Sequence, residues 1–313
     1  MYNKYMRIIY VKNLKSKETV QIVNYISKTF PNLKKSTLYK ALRNKDIRVN
    51  DKKINENIMI KNNDKIDIYI KDNLLFDLPK NINYIYNDEN IIIAFKPQNI
   101  LSNDEEKNTH NNNTQNYEPT FEDLVKKDYN DAKLLNRLDR NTSGLVIFSR
   151  NQKSYDALYS AFKNGDITKE YIAYVTGYNF QKKHDILTGY ILKDKKTSYS
   201  KVLKEKVNGS KQVITEYNVL SINKNKDFAI LKIILHTGKT HQIRAHLKSI
   251  NHPIIGDSKY GINEINKKFN KYKQLLIAYS YTFKFDINSP LYYLNNKRFE
   301  LDKKIYTNIL GCE

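Results

Sequence analysis

Hydrophobic positions recur along this chain with two periods, and the switch between them outlines its elements. Val20, Val23, Ile26 and Phe30 follow helical spacing up to Pro31, and Leu38, Ala41 and Leu42 mark a second helix from about Ser36. Two short strand-like runs follow, IRVN at 47–50 and KIDIYI at 65–70, joined by polar turns such as Asn50-Asp51-Lys52. From residue 84 onward strands dominate. YIYNDENIIIAFKP (84–97) holds two strands around an acidic turn, and LVIF (145–148) reads as a short buried strand. KEYIAYVTG (169–177) and FAILKIILH (228–236) alternate their faces, and LLIAYSYTFKF (275–285) is a final strand. Residues 155–162 are helical, and a second helix starts near Thr240, its expected N-cap, with Ile243, Leu247 and Ile250 toward the core. Two segments lack such patterning. Residues 182–212 are Lys-rich and are expected as a flexible basic hairpin, while the Asn-rich stretch 103–118 is expected as a mobile loop.

Composition adds a partner. Of 313 residues, 54 are Lys or Arg against 33 Asp or Glu, a formal charge of +21. A bias toward Lys, Asn, Ile and Tyr explains many lysines but not an excess over acids, so a polyanion is the expected partner. The excess is concentrated early: residues 1–80 carry 18 basic and 8 acidic side chains, a net of +10. A polar connector with Pro79 separates this quarter from the rest. We therefore expect a basic domain at 1–75, a linker at 76–83 and a larger domain at 84–313. The one cysteine, Cys312, allows no disulfide within the chain and no Cys-based metal site. No apolar run is long enough to cross a bilayer and no leader-like segment opens the chain, so a cytoplasmic monomer with no membrane attachment is expected.

Candidate chemistry centres on LLNRLDRNTSGLVIFSR (134–150). Asp139 sits between Arg137 and Arg140 on a polar, turned segment leading into the buried strand. One of only nine glycines, Gly144, stands at the junction, which suggests a backbone requirement. Asp139 reads either as a turn cap paired with an arginine, or as a carboxylate whose charge guanidinium groups favour and which can act as a nucleophile. Farther on, His241 and Arg244 lie three apart on one helix face. His236, His241, His246 and His252 are close in sequence. Without Cys or an H-E-x-x-H spacing they do not make a metal site, and none is expected.

The run N-R-L-D-R-x-T-S-G-L resembles the signature of RluA-type RNA pseudouridine synthases. K-x-Y-x-A-x-V-x-G from Lys169 and T-G-K-T-H-Q-I-R-A-H-L from Thr237 resemble that family's second and third motifs, with Lys239 where Arg is usual. The resemblance spans roughly 83–304. It implies an α+β fold with a mixed, largely antiparallel sheet and an RNA cleft, with catalytic residues Asp139, Tyr171 and Arg244. Tyr171 would lie against the target base and Arg244 would be the basic partner of Asp139. Arg137, Arg140, Lys239 and His241 would contact RNA. Where the family often has Ala-Gly after its Lys-Pro pair, this chain has Gln98-Asn99. Residues 18–70 resemble the RNA-binding domain typified by small-subunit ribosomal protein four, a small basic α/β module. Lys35, Lys40, Arg43, Lys45 and Arg48 are then expected near phosphates. Asp51 and Asn63 replace that domain's usual turn glycines, and both tolerate left-handed backbone.

Isomerising uridine to pseudouridine consumes neither redox equivalents nor nucleotide energy. No cofactor is therefore expected, and the lack of a P-loop or dinucleotide fingerprint fits. The implied partner is RNA, either rRNA or tRNA. Two other classes remain open at this point: a non-catalytic RNA-binding or ribosome-associated protein with this fold, and a hydrolase with an Asp nucleophile.

Overall fold

The structure is a computed structural model that describes residues 6–70 and 78–304, except 12–13, 16–17, 31–32, 104–118, 195–196 and 198. The Asn-rich segment 104–118, residues 71–77 at the start of the connector, and Cys312 lie outside the described residues. The chain forms two compact units, one of Met1–Asn81 together with Asp104–Thr120 and one of Ile82–Asn103 together with Phe121–Glu313.

In the first unit, helices α1 (Ile22–Thr29) and α2 (Lys35–Arg43) pack with two small sheets. Strands β1 (Met6–Tyr10), β6 (Lys65–Tyr69), β3 (Ile47–Val49) and β4 (Lys52–Ile54) form an antiparallel sheet in that order, and β2 (Thr19–Gln21) pairs with β5 (Met59–Lys61). Ile22, Ile26, Leu38, Leu42, Ile47, Ile66 and Ile68 are buried together in one core. Each fully buried Leu or Ile contributes about 1.5–3 kcal/mol relative to exposure. Val20 belongs to β2 rather than to the helix expected around it, because its backbone pairs with Ile60. The helix starts two residues later, where Asn57 Oδ1 accepts from Val23 N at 3.0 Å. Asn50 and Asp51 (φ 48° and 66°) make the left-handed two-residue turn joining β3 to β4, and Asn63 (φ 70°) makes another.

The second unit is built on an eleven-stranded sheet. Its path runs β13 (Ser200–Leu203), β12 (His184–Lys193), β14 (Lys211–Asn223), β15 (Phe228–Leu235), β11 (Ile167–Thr176), β16 (Leu276–Phe283), β10 (Ser143–Ser149), β8 (Ile91–Lys96), β7 (Asn83–Asn87). Strand β17 (Arg298–Glu300) joins β16, and β9 (Lys133–Leu134) joins β10. Every pairing is antiparallel except that of β10 with β16. There Gly144 (φ 124°) meets Ala278, and a Cβ at 144 would strike the Ala278 backbone, which is the backbone requirement its position suggests. Helices α3 (Phe121–Asp128), α4 (Gln152–Asn164), α5 (Gln242–Ser249) and α6 (Asn263–Lys268) complete the unit. Asn151 caps α4 by accepting from Ser154 N, and Gly165 (φ 85°) ends it.

Two expectations change. The segment 182–212 is not a loose hairpin: β12 pairs with β13 and β14 over most of its length, extending the main sheet, with Ile191 and Val213 buried against Tyr260. Strand β11 does not alternate between core and solvent, since nearly all its residues are buried. It lies centrally between β15 and β16, where both faces are covered.

Candidate active site

The loop joining β9 to β10 carries Asp139, and its backbone is held from several sides. Asn136 donates to the Tyr281 hydroxyl at 2.8 Å and accepts from Ile147 N at 2.9 Å. Ser102 Oγ donates to Leu138 O and accepts from Leu138 N. Beneath lies Lys96, fully buried, with Nζ between 3.0 and 3.3 Å from the carbonyls of Pro97, Asp139, Arg140 and Thr142. Gln98 Nε2 donates to Gln274 O, and Asn99 takes a left-handed conformation (φ 72°) with its N–H on Arg140 O. Asn99 thus holds a left-handed conformation that glycine adopts freely and asparagine tolerates.

The guanidinium that bonds the Asp139 carboxylate comes from Arg244 on α5. Its Nη1 donates to Asp139 Oδ2 at 2.7 Å, while Arg140 Nη1 is turned to Asn99 O. Contact across the fold thus supplies this partner, the residue that the family resemblance implies. Arg244 is itself gripped by Asp257, Nε to Oδ2 at 2.7 Å and Nη2 to Oδ1 at 2.9 Å, a two-pronged planar match. Asp257 Oδ1 also accepts from the backbone N–H groups of Lys259 and Tyr260. Burial pushes the Asp257 carboxyl up, but Arg244 and those two N–H groups outweigh it, and it ends below the usual carboxylate range. For Arg244 burial acts against the charge, yet Asp257 and Asp139 together raise it above the ordinary value. The fork is thus permanently charged and aimed. Among the described residues Asp139 Oδ1 takes no hydrogen bond, and the side chain is 26% exposed.

Tyr171 on β11 is buried and near Asp139. Burial, then the Asp139 charge, hold its hydroxyl well above the usual tyrosine range, partly offset by a hydrogen bond with Tyr281. His241 lies between Asp139 and Tyr260, with Nε2 3.9 Å from Asp139 Oδ2 and Nδ1 3.0 Å from the Tyr260 hydroxyl. It is the N-cap of α5, in a left-handed conformation, not a first-turn residue behind a Thr240 cap. Gln242 explains the shift: its Oε1 accepts from Lys239 N and Thr237 Oγ1, closing the turn from inside the helix. Ile243 and Leu247 are buried as expected, while Ile250 is half-buried at the helix end.

Asp139, Tyr171, Arg244 and His241 therefore converge. Arg137 and Lys239 are exposed, Arg137 on the Asp139 loop and Lys239 in the turn before α5. In the first unit Lys40, Arg43 and Lys45 are exposed, Lys35 reaches Asn24, and Arg48 lies over the Tyr69 ring at 5.1 Å. The four clustered histidines go separate ways: His236 to Glu216, His241 to Tyr260, His246 to Thr215 and His252 to the Thr176 carbonyl. Sequence reasoning missed Lys96, Asp257 and Tyr260. Lys96 had a hint in its Lys-Pro pair, whereas an Asp in G-D-S-K-Y-G reads only as a turn residue.

Known proteins resemble this chain over most of its length. Residues 90–249 match the family model described as RNA pseudouridylate synthase. A Mycoplasma capricolum protein named as an uncharacterized RNA pseudouridine synthase is 32% identical over 305 residues, covering 90% of this chain and 94% of that one. Ribosomal large subunit pseudouridine synthase C of Buchnera aphidicola is 30% identical over 303 residues, covering 90% and 91%. Among solved structures, human RNA pseudouridylate synthase domain containing 1 superposes with a TM-score of 0.55 at 18% identity, over 75% of this chain and 96% of that one, a likeness of fold. These matches define an RNA-modifying isomerase built on a mixed, largely antiparallel sheet. The chain belongs to the RluA-type RNA pseudouridine synthase family.

Proposed function

We propose that this enzyme converts specific uridines of structured RNA, most simply rRNA, to pseudouridine with Asp139 as the catalytic carboxylate. One observation carries the reading. Asp139 presents a carboxylate oriented through Oδ2 by a buried, doubly anchored Arg244, while its side chain is partly exposed and Oδ1 takes no hydrogen bond among the described residues. Such a group suits a reaction that breaks the N1–C1′ glycosidic bond and rejoins C1′ to C5 of the uracil. The proton lost from C5 and the proton gained at N1 balance, so no net acid or base is consumed. Asp139 acts at the sugar, Arg244 orients it through Oδ2, and Tyr171 offers a protonated ring face to the base. The target leaves its stack to reach them, at a cost offset by backbone contacts and stacking. The rRNA assignment is supported by relatives named as acting on the large ribosomal subunit.

The +10 charge of residues 1–80, with Lys40, Arg43 and Lys45 exposed, supports a separate RNA-contacting role for the first unit, of the kind that the ribosomal-protein-four resemblance implies. A hydrolase with an Asp nucleophile would want a second acid at the carboxylate. Asp257, the acid that shares Arg244 with Asp139, is fully buried and bound to Arg244 through both oxygens. The test is to incubate the protein with RNA from cells lacking it and to map new pseudouridines. Appearance of pseudouridine at defined positions supports the proposal, and an unchanged map contradicts it.

A further inference from the structure

Tyr260 is fully buried beside Asp139's two partners. Its ring lies 4.9 Å from the Arg244 guanidinium carbon and edge-on to the His241 ring, with centroids 5.5 Å apart. Its hydroxyl accepts from Ser200 N at 2.7 Å and stands 3.0 Å from His241 Nδ1. A backbone N–H can only donate, so the Tyr260 oxygen is the acceptor there, and its own proton is available to Nδ1. The Ser200 hydroxyl donates to Thr240 O at 3.3 Å and also lies within reach of the Tyr260 oxygen. With Nδ1 accepting, the imidazole carries its proton on Nε2, the nitrogen that faces Asp139 Oδ2. Burial pushes His241 down to about 4, with the Asp139 and Asp257 charges pulling up and Arg244 and Lys259 pulling down, so the ring is uncharged at neutral pH. His241 also holds φ 58° and ψ 18° as a non-glycine residue, a conformation that clusters at functional sites.

We propose that Tyr260 is a positioning residue that locks His241 as the neutral Nε2–H tautomer, so that His241 and Arg244 together address Oδ2 of Asp139 and leave Oδ1 as the reacting oxygen. The inference rests on Asp139 being the reactive carboxylate. An uncharged second donor orients the carboxylate without drawing off its charge as a second cation would. The 3.9 Å separation closes to a hydrogen bond when the target nucleotide excludes water from the site. The lock ties the sheet extension to the site, because Ser200 stands on β13.

Nitrogen-15 NMR of the full-length protein reads the tautomer directly. His241 is expected to show a protonated Nε2 and an unprotonated, hydrogen-bonded Nδ1 from pH 8 down to pH 5, and Tyr260→Phe is expected to give a mixture of tautomers. In turnover with target RNA, His241→Ala should lower kcat roughly 10- to 100-fold at nearly constant KM, the range expected for a hydrogen bond to a charged group. His241→Gln, whose amide N–H stands in for Nε2–H, should recover most of the loss, with Tyr260→Phe in between. A protonated Nδ1 in the wild type, or equal kcat for His241→Ala and His241→Gln, overturns the proposal. Should Tyr260→Phe fail to fold, the wild-type tautomer and the two His241 variants still decide. A wild type that forms no pseudouridine refutes the functional reading instead, and the tautomer measurement then judges the lock alone.

Discussion

Arg244 meets Asp139 at one nitrogen because its other two are bound to Asp257, an arrangement with all three groups largely out of water. Buried pairs of this kind cost little while complete and much when one partner is removed. Asp257→Ala is therefore expected to destabilise the protein by about 3–5 kcal/mol in urea unfolding and to abolish turnover, because Arg244 loses its aim. A variant with wild-type stability and turnover would show that Arg244 needs no support. His246 makes a second residue-scale prediction. It is buried, with Nδ1 2.7 Å from Thr215 Oγ1 and no partner for Nε2 among the described residues, and burial holds it down to about 4. In the unfolded chain a histidine takes up its proton near 6.5, so as pH falls from there toward 4 the unfolded state binds protons first and stability drops. His241 acts with the same sign. Carboxylates held low, such as Asp257 and Glu170, add their losses only below their unfolded values near 4. Each histidine then contributes a slope approaching about 1.4 kcal/mol per pH unit, and His246→Asn should remove about half the slope between pH 6.5 and 4.5. An unchanged slope would mean that His246 is protonated in the fold. Asp139, Tyr171 and Arg244 were legible in short motifs, whereas Asp257 and Tyr260 gain meaning only when the chain returns to Arg244.

At the scale of elements, strands β8, β10, β15 and β16 and helix α4 could be read from the apolar pattern, whereas α3, β14 and α6 gave no such signal. The misreadings share a cause. The 182–212 segment has polar residues on strands whose neighbours, not whose own side chains, hold them in the sheet. The start of α5 moved because Gln242 supplies from within the helix the acceptor that a Thr cap would supply from outside. The Asp139 loop is likewise fixed by a strand end that no periodicity reveals. Lys96, the last residue of β8, gathers four carbonyls of that loop and its neighbour Pro97 around one buried ammonium. Lys96→Met keeps the stem but strips those carbonyls of their donor, and is expected to cost roughly 2–5 kcal/mol. Hydrogen exchange should rise at Thr142, whose N–H bonds Asp139 O. Wild-type protection there would place the loop's support elsewhere.

For the whole molecule, charge and chemistry are apportioned differently along the chain. Residues 1–80 hold nearly half of the +21 charge, while Asp139, Tyr171 and Arg244 all lie in the second unit. We expect removal of residues 1–75 to weaken RNA binding and selectivity while leaving the second unit folded. The log–log salt slope should fall by roughly 0.7 for each single-strand phosphate that the shortened protein leaves unneutralised. Equal affinity and equal slopes for full-length and shortened proteins would contradict an RNA-anchoring role for the first unit. Among the described residues no helix is long and apolar enough to cross a membrane. On the proposed function, what the molecule as a whole does turns on a single carboxylate, and the most direct measurement replaces it. Asp139→Asn preserves size and an acceptor for Arg244 while removing the charge. In an assay that maps pseudouridine in target RNA beside a binding assay, this variant should bind RNA as tightly as the wild type or tighter, with isomerisation at background. Pseudouridine formed by Asp139→Asn at a rate near that of the wild type would contradict the account.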